Sequence, residues 1–335
     1  MIKPVAGALD WRPCWTPRIV RLRADLMARV RCFFSQRGVL EVDTPLLTAA
    51  PSADPNLMPM RLRSLGADPH SEYYLQTSPE FPMKRLLAAG SGPIYQIAHS
   101  FRDDERGRLH QPEFSLLEWY RPGFDHHALM DEVVDFLRVT LGADGHERLS
   151  VAQAFERFLG FDPHQASLSE LETVARKNDL RLAQSADEAV YLDFLMSHCV
   201  APHLGTPHPT LLYDYPISQC AYARIREGNP PVAERFEVFV AGMELGNGYH
   251  ELTDPVAQRM RFLAENAKRR RAGLREMPLD ERLLAALECG MPECAGIALG
   301  FDRLVMIAAA AKRLEEVMAF PFGRSADDLS NAGVN

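Results

Sequence analysis

The sequence predicts an α+β protein with an antiparallel β-sheet flanked by helices. Its strand candidates are separated by long stretches and do not alternate regularly with helices, which favours an antiparallel or mixed sheet over a parallel one. The chain has 335 residues, of which 47% are hydrophobic and 24% charged, as is usual for a globular protein. The motifs G-x-G-x-x-G and G-x-x-x-x-G-K-S/T do not occur, which argues against a Rossmann or P-loop nucleotide site.

The amino-terminal part of the chain predicts a helix followed by short strands. Thr16 offers a capping hydroxyl before Pro17, and apolar residues then recur at helical spacing as far as Gly38, which suits the left-handed residue after a helix. A second helix is predicted over 84–89. The strands predicted in this part of the chain span 39–42, 73–76, 94–98 and 114–119.

The segment from about 145 to 210 differs from the rest of the chain in its predicted secondary structure. Ser150 with Gln153 and Ser167 with Glu170 match capping boxes, so this segment predicts helices with little strand. We interpret it as a helical insertion in a single domain that covers the whole chain. Outside it, we expect helices at 126–141, 255–271 and 302–312, and strands at 210–215, 235–240 and 296–299.

Charge and composition narrow the possible functions. The net charge is −8 and the pI about 5.8, which argues weakly against a broad nucleic-acid footprint. The basic run at 268–271 is typical of the solvated face of a helix, and a docking patch for an acidic macromolecule is the alternative. No apolar run is long enough to span a membrane, no signal peptide is recognisable, and the six cysteines include no C-x-x-C pair. We therefore expect a cytoplasmic protein with reduced thiols.

The stretch 101–118 carries the first candidate site. It places Arg102, then a charged loop with Arg108 and His110, then Phe114 on the following strand. A guanidinium can fork onto a carboxylate or an α-phosphate, a flexible loop can reach the distal phosphates, and an aromatic ring can lie under a purine. The pattern predicts a nucleoside triphosphate site, and a surface hairpin with scattered charges is the alternative.

Two later segments complete this pattern. We expect Glu237 and Glu244 to meet across a hairpin, because paired carboxylates beside phosphates suit Mg²⁺; two exposed glutamates are the alternative. The glycines on either side of Asn247 indicate a backbone that a ligand approaches closely. On the strand at 296–300, small residues alternate with large apolar ones, which leaves one face bare for a ligand, and Arg303 follows in the first turn of the next helix.

Together these segments resemble, in chain order, the three motifs of the class II aminoacyl-tRNA synthetases. Motif 1 corresponds to 38–45, motif 2 to 101–118 and motif 3 to 296–303, and the resemblance runs from about 16 to 320. Other segments are similar to those of the lysyl-tRNA synthetases, namely 77–80, 83–86, 112–114 and 247–254.

Only some fifteen residues precede the first predicted helix, so we expect no anticodon-binding domain. The chain therefore resembles the stand-alone paralogues of lysyl-tRNA synthetase, which use ATP to activate β-lysine and transfer it to the ε-amine of a lysine on elongation factor P. The sequence at 119–122 and His250 are similar to that group. The resemblance implies an α+β fold of the class II synthetase type, ATP and Mg²⁺ as cofactors, a homodimer, and no stable tRNA binding.

The resemblance also implies a role for each site residue. Arg102 and Arg303 would be catalytic, the first on the substrate carboxylate and α-phosphate and the second on the γ-phosphate. Glu237 and Glu244 would hold Mg²⁺, and Ala298 would lie beside the substrate's α-carbon. The other nucleotide contacts would be Asp104, Glu105, Arg108, His110, Phe114 and Gly300. The other contacts to the diamino substrate would be Ser78, Glu80, Glu118, Tyr120, Asn247 and Glu251.

The chain departs from the family pattern at three positions. Asp104 replaces the glutamate of an Arg-x-Glu pattern, with Glu105 beside it, Gln111 replaces an asparagine, and Ala298 replaces the middle glycine of motif 3. We expect the Ala298 methyl group to disfavour α-lysine and to help select the β-amino isomer. Two other functions stay open at this point: a truncated synthetase that charges tRNA with lysine, and a non-catalytic regulatory paralogue.

Overall fold

The computed structural model describes residues 12–62, 72–103, 105–181 and 186–322. Their strands are β1 (Leu40–Glu41), β2 (Leu47–Thr48), β3 (Arg61–Leu62), β4 (Tyr73–Leu75), β5 (Ile94–Phe101), β6 (Glu113–Pro122), β7 (Glu147–Ser150), β8 (Thr210–Tyr215), β9 (Ile225–Arg226), β10 (Val232–Val240), β11 (Met243–His250) and β12 (Cys294–Gly300). Their α-helices are α1 (Pro17–Gln36), α2 (Glu80–Ala88), α3 (His126–Leu141), α4 (Val151–Leu159), α5 (Leu168–Lys177), α6 (Glu188–Leu195), α7 (Pro255–Arg271), α8 (Glu281–Gly290) and α9 (Phe301–Ala309).

A large mixed sheet organises the described residues. Its strand order is β1-β5-β6-β12-β11-β10-β8-β7, with β9 paired to β10. The β1–β5 and β7–β8 pairs are parallel and the other pairs are antiparallel. Strands β2, β4 and β3 form a separate small sheet. The predicted α+β class is confirmed, and the sheet is predominantly antiparallel with parallel pairs towards its two ends.

Local capping signals account for most helix starts. Thr16 accepts a hydrogen bond from the Ile19 amide at the start of α1, and Asp125 caps α3 in the same way. Both predicted capping boxes, at the starts of α4 and α5, are formed in full. The helix predicted over 302–312 ends earlier, at residue 309, because Ala310 takes a left-handed conformation with φ 53°. The helix predicted over 84–89 begins four residues earlier, at Glu80.

The main core lies between the sheet and the helices α1 and α3. Phe34 stacks on Tyr95 of β5 with ring centroids 4.3 Å apart, and Phe136 packs against Trp119 of β6. These buried rings fix one face of the central strands against the helices, which leaves the opposite face of β6, β12 and β11 available for a site.

The described part of the segment 151–203 contains helices joined by loops and no strand, and a second core lies beneath it. That this segment is an insertion in a single domain stays a prediction. No described helix combines the length and the apolar character that crossing a bilayer requires.

The basic run in α7 differs from the predicted solvated face. The Arg269 side chain is fully buried, and its guanidinium donates to the carbonyl oxygens of Arg275 (2.7 Å) and Asp54 (3.0 Å). Arg270 is exposed and pairs with Glu276. The prediction was therefore wrong for Arg269, because this side chain ties α7 to the loop before β3.

Candidate active site

Strand register brings distant predicted residues into one row across the sheet. Ala298 on β12 lies opposite Glu118 of β6 on one side and Asn247 of β11 on the other. Asn247 in turn lies opposite Glu237 of β10. Because residues in register point to the same face of a sheet, these side chains share one surface.

A cavity of about 290 Å³ opens over this row. The Gly296 position shows how closely the strands approach beneath it, since a Cβ there would lie 2.3 Å from the Tyr120 ring and 2.7 Å from Glu251 Oε1. The predicted site residues that line the cavity are Ser78, Glu80, Arg102, Glu105, His110, Phe114, Glu118, Tyr120, Glu244, Asn247, Glu251, Ala298, Gly300 and Arg303.

One half of the cavity is basic, and Arg303 is its centre. The Arg303 guanidinium donates to the Glu244 carbonyl oxygen at 2.7 Å and contacts His110 Nε2 at 2.8 Å. Burial, followed by the charge of Arg303, lowers the pKa of His110, so the ring is neutral here and accepts the arginine proton. Asp302, next in the chain, is buried and accepts from Arg23 and from the Ser115 amide, which fixes the start of α9 against β6.

Arg102 lies beside this group. Its guanidinium carbon is 4.9 Å from the centre of the Phe114 ring, and it pairs with Glu105 at 3.3 Å. Its Nε atom is buried and has no hydrogen-bond partner among the described residues. A buried donor without a partner is costly, so this arginine is poised to donate to a ligand oxygen.

The other half of the cavity is acidic and deeply buried. Glu118 accepts hydrogen bonds from Tyr120 at 2.6 Å and Ser78 at 2.9 Å. Burial, followed by the charge of Glu80, raises the pKa of Glu118 to about 8. Burial also raises the pKa of Glu251 to about 7, although Lys84 acts in the opposite direction.

Lys84 is a buried cation beside this half of the cavity that the sequence prediction did not include. Its buried ammonium lies 2.6 Å from Glu80 Oε1 and 2.6 Å from Glu251 Oε2. Burial opposes its charge, but the attraction of Glu251 and Glu80 outweighs burial and raises the pKa of Lys84. The signal was available: Glu80 and Lys84 are four residues apart on α2, where side chains meet.

The charges of this half are unbalanced. When ionised, the carboxylates of Glu80, Glu118 and Glu251 carry three negative charges and Lys84 carries one positive charge. The remaining two negative charges suit a ligand that brings two ammonium groups into the cavity. Glu118, Glu251 and Lys84 are buried, and an unpaired charge is most costly in such a position.

Glu237 and Glu244 lie on the predicted hairpin of β10 and β11. Glu244 faces the cavity and is exposed, whereas Glu237 is buried and forms an ion pair with Arg235. Burial raises the pKa of Glu237 to about 7, with Arg235 opposing the shift and the charge of Glu244 adding to it. The two carboxylates are therefore near enough to interact. Arg235 was not predicted, although it is two residues from Glu237 and so shares its face of β10.

Several predicted positions differ from their expected surroundings. The Arg108 guanidinium donates to the Lys312 carbonyl oxygen, and Arg108 is not among the described residues lining the cavity. Glu237 does not line it in the described structure either, because Arg235 engages its carboxylate. Asp104 lies outside the described residues. Gly248 makes room for the core ring of Phe236, 2.5 Å from where a Cβ would lie, so the prediction of close ligand approach was wrong there.

Comparison with known proteins agrees with this geometry. A family model described as tRNA synthetases class II (D, K and N) matches residues 6–324. The chain belongs to this family. It is 48% identical over 320 residues to a protein of Edwardsiella ictaluri and 46% identical over 320 residues to one of Vibrio cholerae, each alignment covering 94% of this chain and 98% and 99% of the relatives. Both relatives are named Elongation factor P–(R)-beta-lysine ligase.

A third relative, from Proteus mirabilis, has the same name and is 47% identical over 98% of its length. These names are those of enzymes, so the predicted membership of a ligase group within the class II synthetases is confirmed.

Proposed function

We propose that this protein activates (R)-β-lysine with ATP and transfers it to the ε-amine of a lysine on elongation factor P. The observation that carries the proposal is the acid-rich half of the cavity, whose two unmatched negative charges adjoin the half that holds Arg102 and Arg303. The names of the relatives agree with a diamino acid as the substrate and elongation factor P as the acceptor.

Activation is a displacement at phosphorus. The substrate carboxylate oxygen attacks the α-phosphorus of ATP, the bond to the bridging oxygen breaks, and pyrophosphate leaves. Arg102 would hold the carboxylate and the α-phosphate, because its buried Nε is a donor without a partner in the described structure. Arg303 would neutralise the outer phosphates, with neutral His110 beside it. Such a reaction is accelerated mainly by positioning and charge stabilisation, and no side-chain nucleophile is needed.

Transfer is an acyl substitution. The neutral ε-amine of the acceptor lysine attacks the carbonyl carbon of the adenylate, AMP leaves, and the attacking nitrogen loses a proton. Glu80, Glu118 and Glu251 would hold the two ammonium groups of the activated substrate during this step, because charge-assisted hydrogen bonds are shorter and stronger than neutral ones.

Two nearby carboxylates fit Mg²⁺, which takes few protein ligands and fills its shell with water and phosphate oxygens. Glu244 faces the cavity and Glu237 lies close enough for their charges to interact. Glu237 and Glu244 would hold the ion, which would supply charge neutralisation at the phosphates.

The test of the function is mass spectrometry of elongation factor P after incubation with this protein, ATP, magnesium and (R)-β-lysine. We expect a mass increase equal to one β-lysyl group, dependent on ATP. If lysine is instead attached to tRNA under the same conditions and the factor stays unmodified, the chain is a tRNA-charging synthetase. If none of the diamino acids supports pyrophosphate exchange, the chain is a non-catalytic paralogue.

Ala298 offers a test of selectivity. It lies between Glu118 and Asn247 in the row across the sheet, so its methyl group reduces the space beside the bound substrate. We predict that Ala298→Gly raises the rate of α-lysine activation relative to β-lysine in pyrophosphate exchange. An unchanged ratio contradicts this account of selectivity.

We also propose that the protein acts as a homodimer in the cytoplasm. Apolar side chains near β1 and β2 are exposed, including Leu40 at 58% and Leu47 at 45%. Exposed apolar side chains of this size grouped in one region are typical of an interface. Light scattering during gel filtration tests the dimer, and a substitution of Leu40→Lys that leaves a dimer intact argues against this surface.

A further inference from the structure

A second cluster of chemically reactive side chains lies away from the cavity. It contains His126 at the start of α3, Glu234 on β10 and His250 on β11. Side chains alternate between the two faces of a strand, so His250 points away from the cavity that the adjacent Glu251 lines. One ligand atom from each of the three residues lies within 4.8 Å of the others.

The three ligand groups are buried. His126 is 1% exposed, and Glu234 and His250 are each 8% exposed. Neither ring nitrogen of His126 has a hydrogen-bond partner among the residues that the structure describes. A buried imidazole without a hydrogen bond is unusual in a folded protein, and a bound group at its Nδ1 atom would satisfy it.

Outer carboxylates are already in place behind both imidazoles. Asp214 Oδ1, also unsatisfied within the described structure, lies 3.6 Å from His126 Nε2. Glu293 Oε2 lies 3.1 Å from His250 Nε2, while His250 Nδ1 lies 2.7 Å from Glu234. Histidines that bind a metal usually donate their other ring proton to such a carboxylate, which sets the tautomer and the ring orientation.

The local charge also favours a cation. Arg226 pairs with Asp214 at 2.6 Å and Arg224 pairs with Glu293 at 2.9 Å. Both guanidinium groups also lie within 4 Å of Glu234, so these two cations are shared among three carboxylates. If both imidazoles are neutral, the three carboxylates carry one more negative charge than the two guanidinium groups balance.

We propose that His126, Glu234 and His250 bind a zinc ion. Two imidazoles and one carboxylate form a donor set typical of Zn²⁺, and calcium and magnesium prefer oxygen ligands alone. The ion would join the start of α3 to β10 and β11. Since Glu251 follows His250 directly, the ion would also fix the end of the strand that leads to the acidic half of the cavity.

The test uses the full chain, purified without a polyhistidine tag, incubated with zinc chloride and separated from free metal by gel filtration. We expect about one zinc per chain by elemental mass spectrometry, since the three residues offer one ligand atom each to a single ion. His126→Ala and His250→Ala should lose it. His127→Ala is the matched control, because His127 neighbours His126 in sequence and contacts its ring but is not one of the three ligands.

Glu293→Gln tests the site without threatening the fold, since the Glu293 side chain is 64% exposed. Loss of such an outer carboxylate should weaken zinc binding about 10- to 100-fold in competition with a chromophoric chelator. Cobalt(II) added to the wild-type chain should give the intense visible absorption of a tetrahedral site, and His250→Ala should abolish it. The proposal is overturned if the wild-type chain retains no zinc, or if His250→Ala retains as much as His127→Ala.

Discussion

The two halves of the cavity are constructed differently. In the basic half, Arg102 has a side chain that is 24% exposed, and Arg303 is held by a carbonyl oxygen and a neutral histidine. In the acidic half, Lys84, Glu118 and Glu251 are all at most 2% exposed and bind one another or their neighbours. Groups of the first kind can be changed without unfolding the protein, whereas buried charges of the second kind contribute to both binding and stability.

The largest effect should come from breaking the buried network at Lys84. Lys84→Met leaves Glu80 and Glu251 without their shared ammonium, so the free energy of unfolding should fall by about 3–5 kcal/mol. Urea denaturation measures this change in the free energy of unfolding, at a pH above 8, where Glu251 is ionised. Arg270→Met, which breaks an exposed pair with Glu276, is the control and should cost about 0–1 kcal/mol. Equal losses of unfolding free energy in Lys84→Met and Arg270→Met contradict the claim that the buried network contributes more to stability than the exposed pair.

The basic half should behave in the opposite way. Arg303→Ala removes a half-buried guanidinium whose hydrogen bonds lead to a carbonyl oxygen and to His110, so unfolding should change little. Pyrophosphate exchange should slow by about 10²–10³-fold in kcat, the usual cost of removing one charge-stabilising donor. Arg303→Lys keeps the positive charge but lacks the planar guanidinium, so its kcat should lie between those of the wild-type chain and Arg303→Ala. A large loss of stability with intact kcat is the result that this account does not allow.

How far the sequence predicts the site also differs between the basic and the acidic half of the cavity. The basic half lies on segments with strong local signals: Arg102 precedes a charged loop, and Arg303 opens a helix after a strand of small residues. Both line the cavity in the described structure. The helix caps at Thr16 and Asp125 could also be predicted from the sequence, because capping depends on residues only three positions apart.

Spacing alone places Lys84 beside Glu80 and Arg235 beside Glu237. It does not show the contacts of Lys84 with Glu251 and of Arg235 with Asn247, which form only after α2 and β10 pack beside β11. Arg108 illustrates the reverse case, since its sequence neighbours suggest a phosphate contact but the Leu314 amide fixes its backbone by donating to the Arg108 carbonyl oxygen. Alternation along β11 places Gly248 on the face opposite Asn247, but its close contact with the ring of Phe236 depends on how β10 pairs with β11.

A substitution at Glu251 tests how the acidic half contributes to substrate binding. Glu251→Gln removes one of the carboxylates that balance two ammonium groups, while it keeps the shape of the side chain. A charge-assisted hydrogen bond is worth about 1.5–3 kcal/mol, so KM for the diamino acid should rise roughly ten- to hundredfold, with KM for ATP unchanged. Glu276→Gln on the surface is the matched control. A parallel rise in both KM values contradicts the separation of the two halves.

The smallest expected effect is a dependence of binding on pH. The pKa values of Glu118 and Glu251 are raised to about 8 and about 7, so both carboxyl groups are largely neutral below these values. An ammonium group binds the ionised form, so KM for the diamino acid should fall as pH rises from 6 through 8, by no more than tenfold per unit for each group. Glu118→Gln should remove the part of this dependence near pH 8. A flat KM profile for the wild-type chain indicates that neither group titrates in the free cavity.

The most direct measurement compares (R)-β-lysine with 3-aminohexanoic acid, which has the same chain without the distal ammonium, in ATP–pyrophosphate exchange. The two unmatched negative charges of the acidic half predict that kcat/KM falls roughly ten- to hundredfold for the monoamine in the wild-type chain. They also predict that the two compounds differ much less in Glu251→Gln. Equal kcat/KM for both compounds in the wild-type chain contradicts a cavity built for a doubly charged substrate.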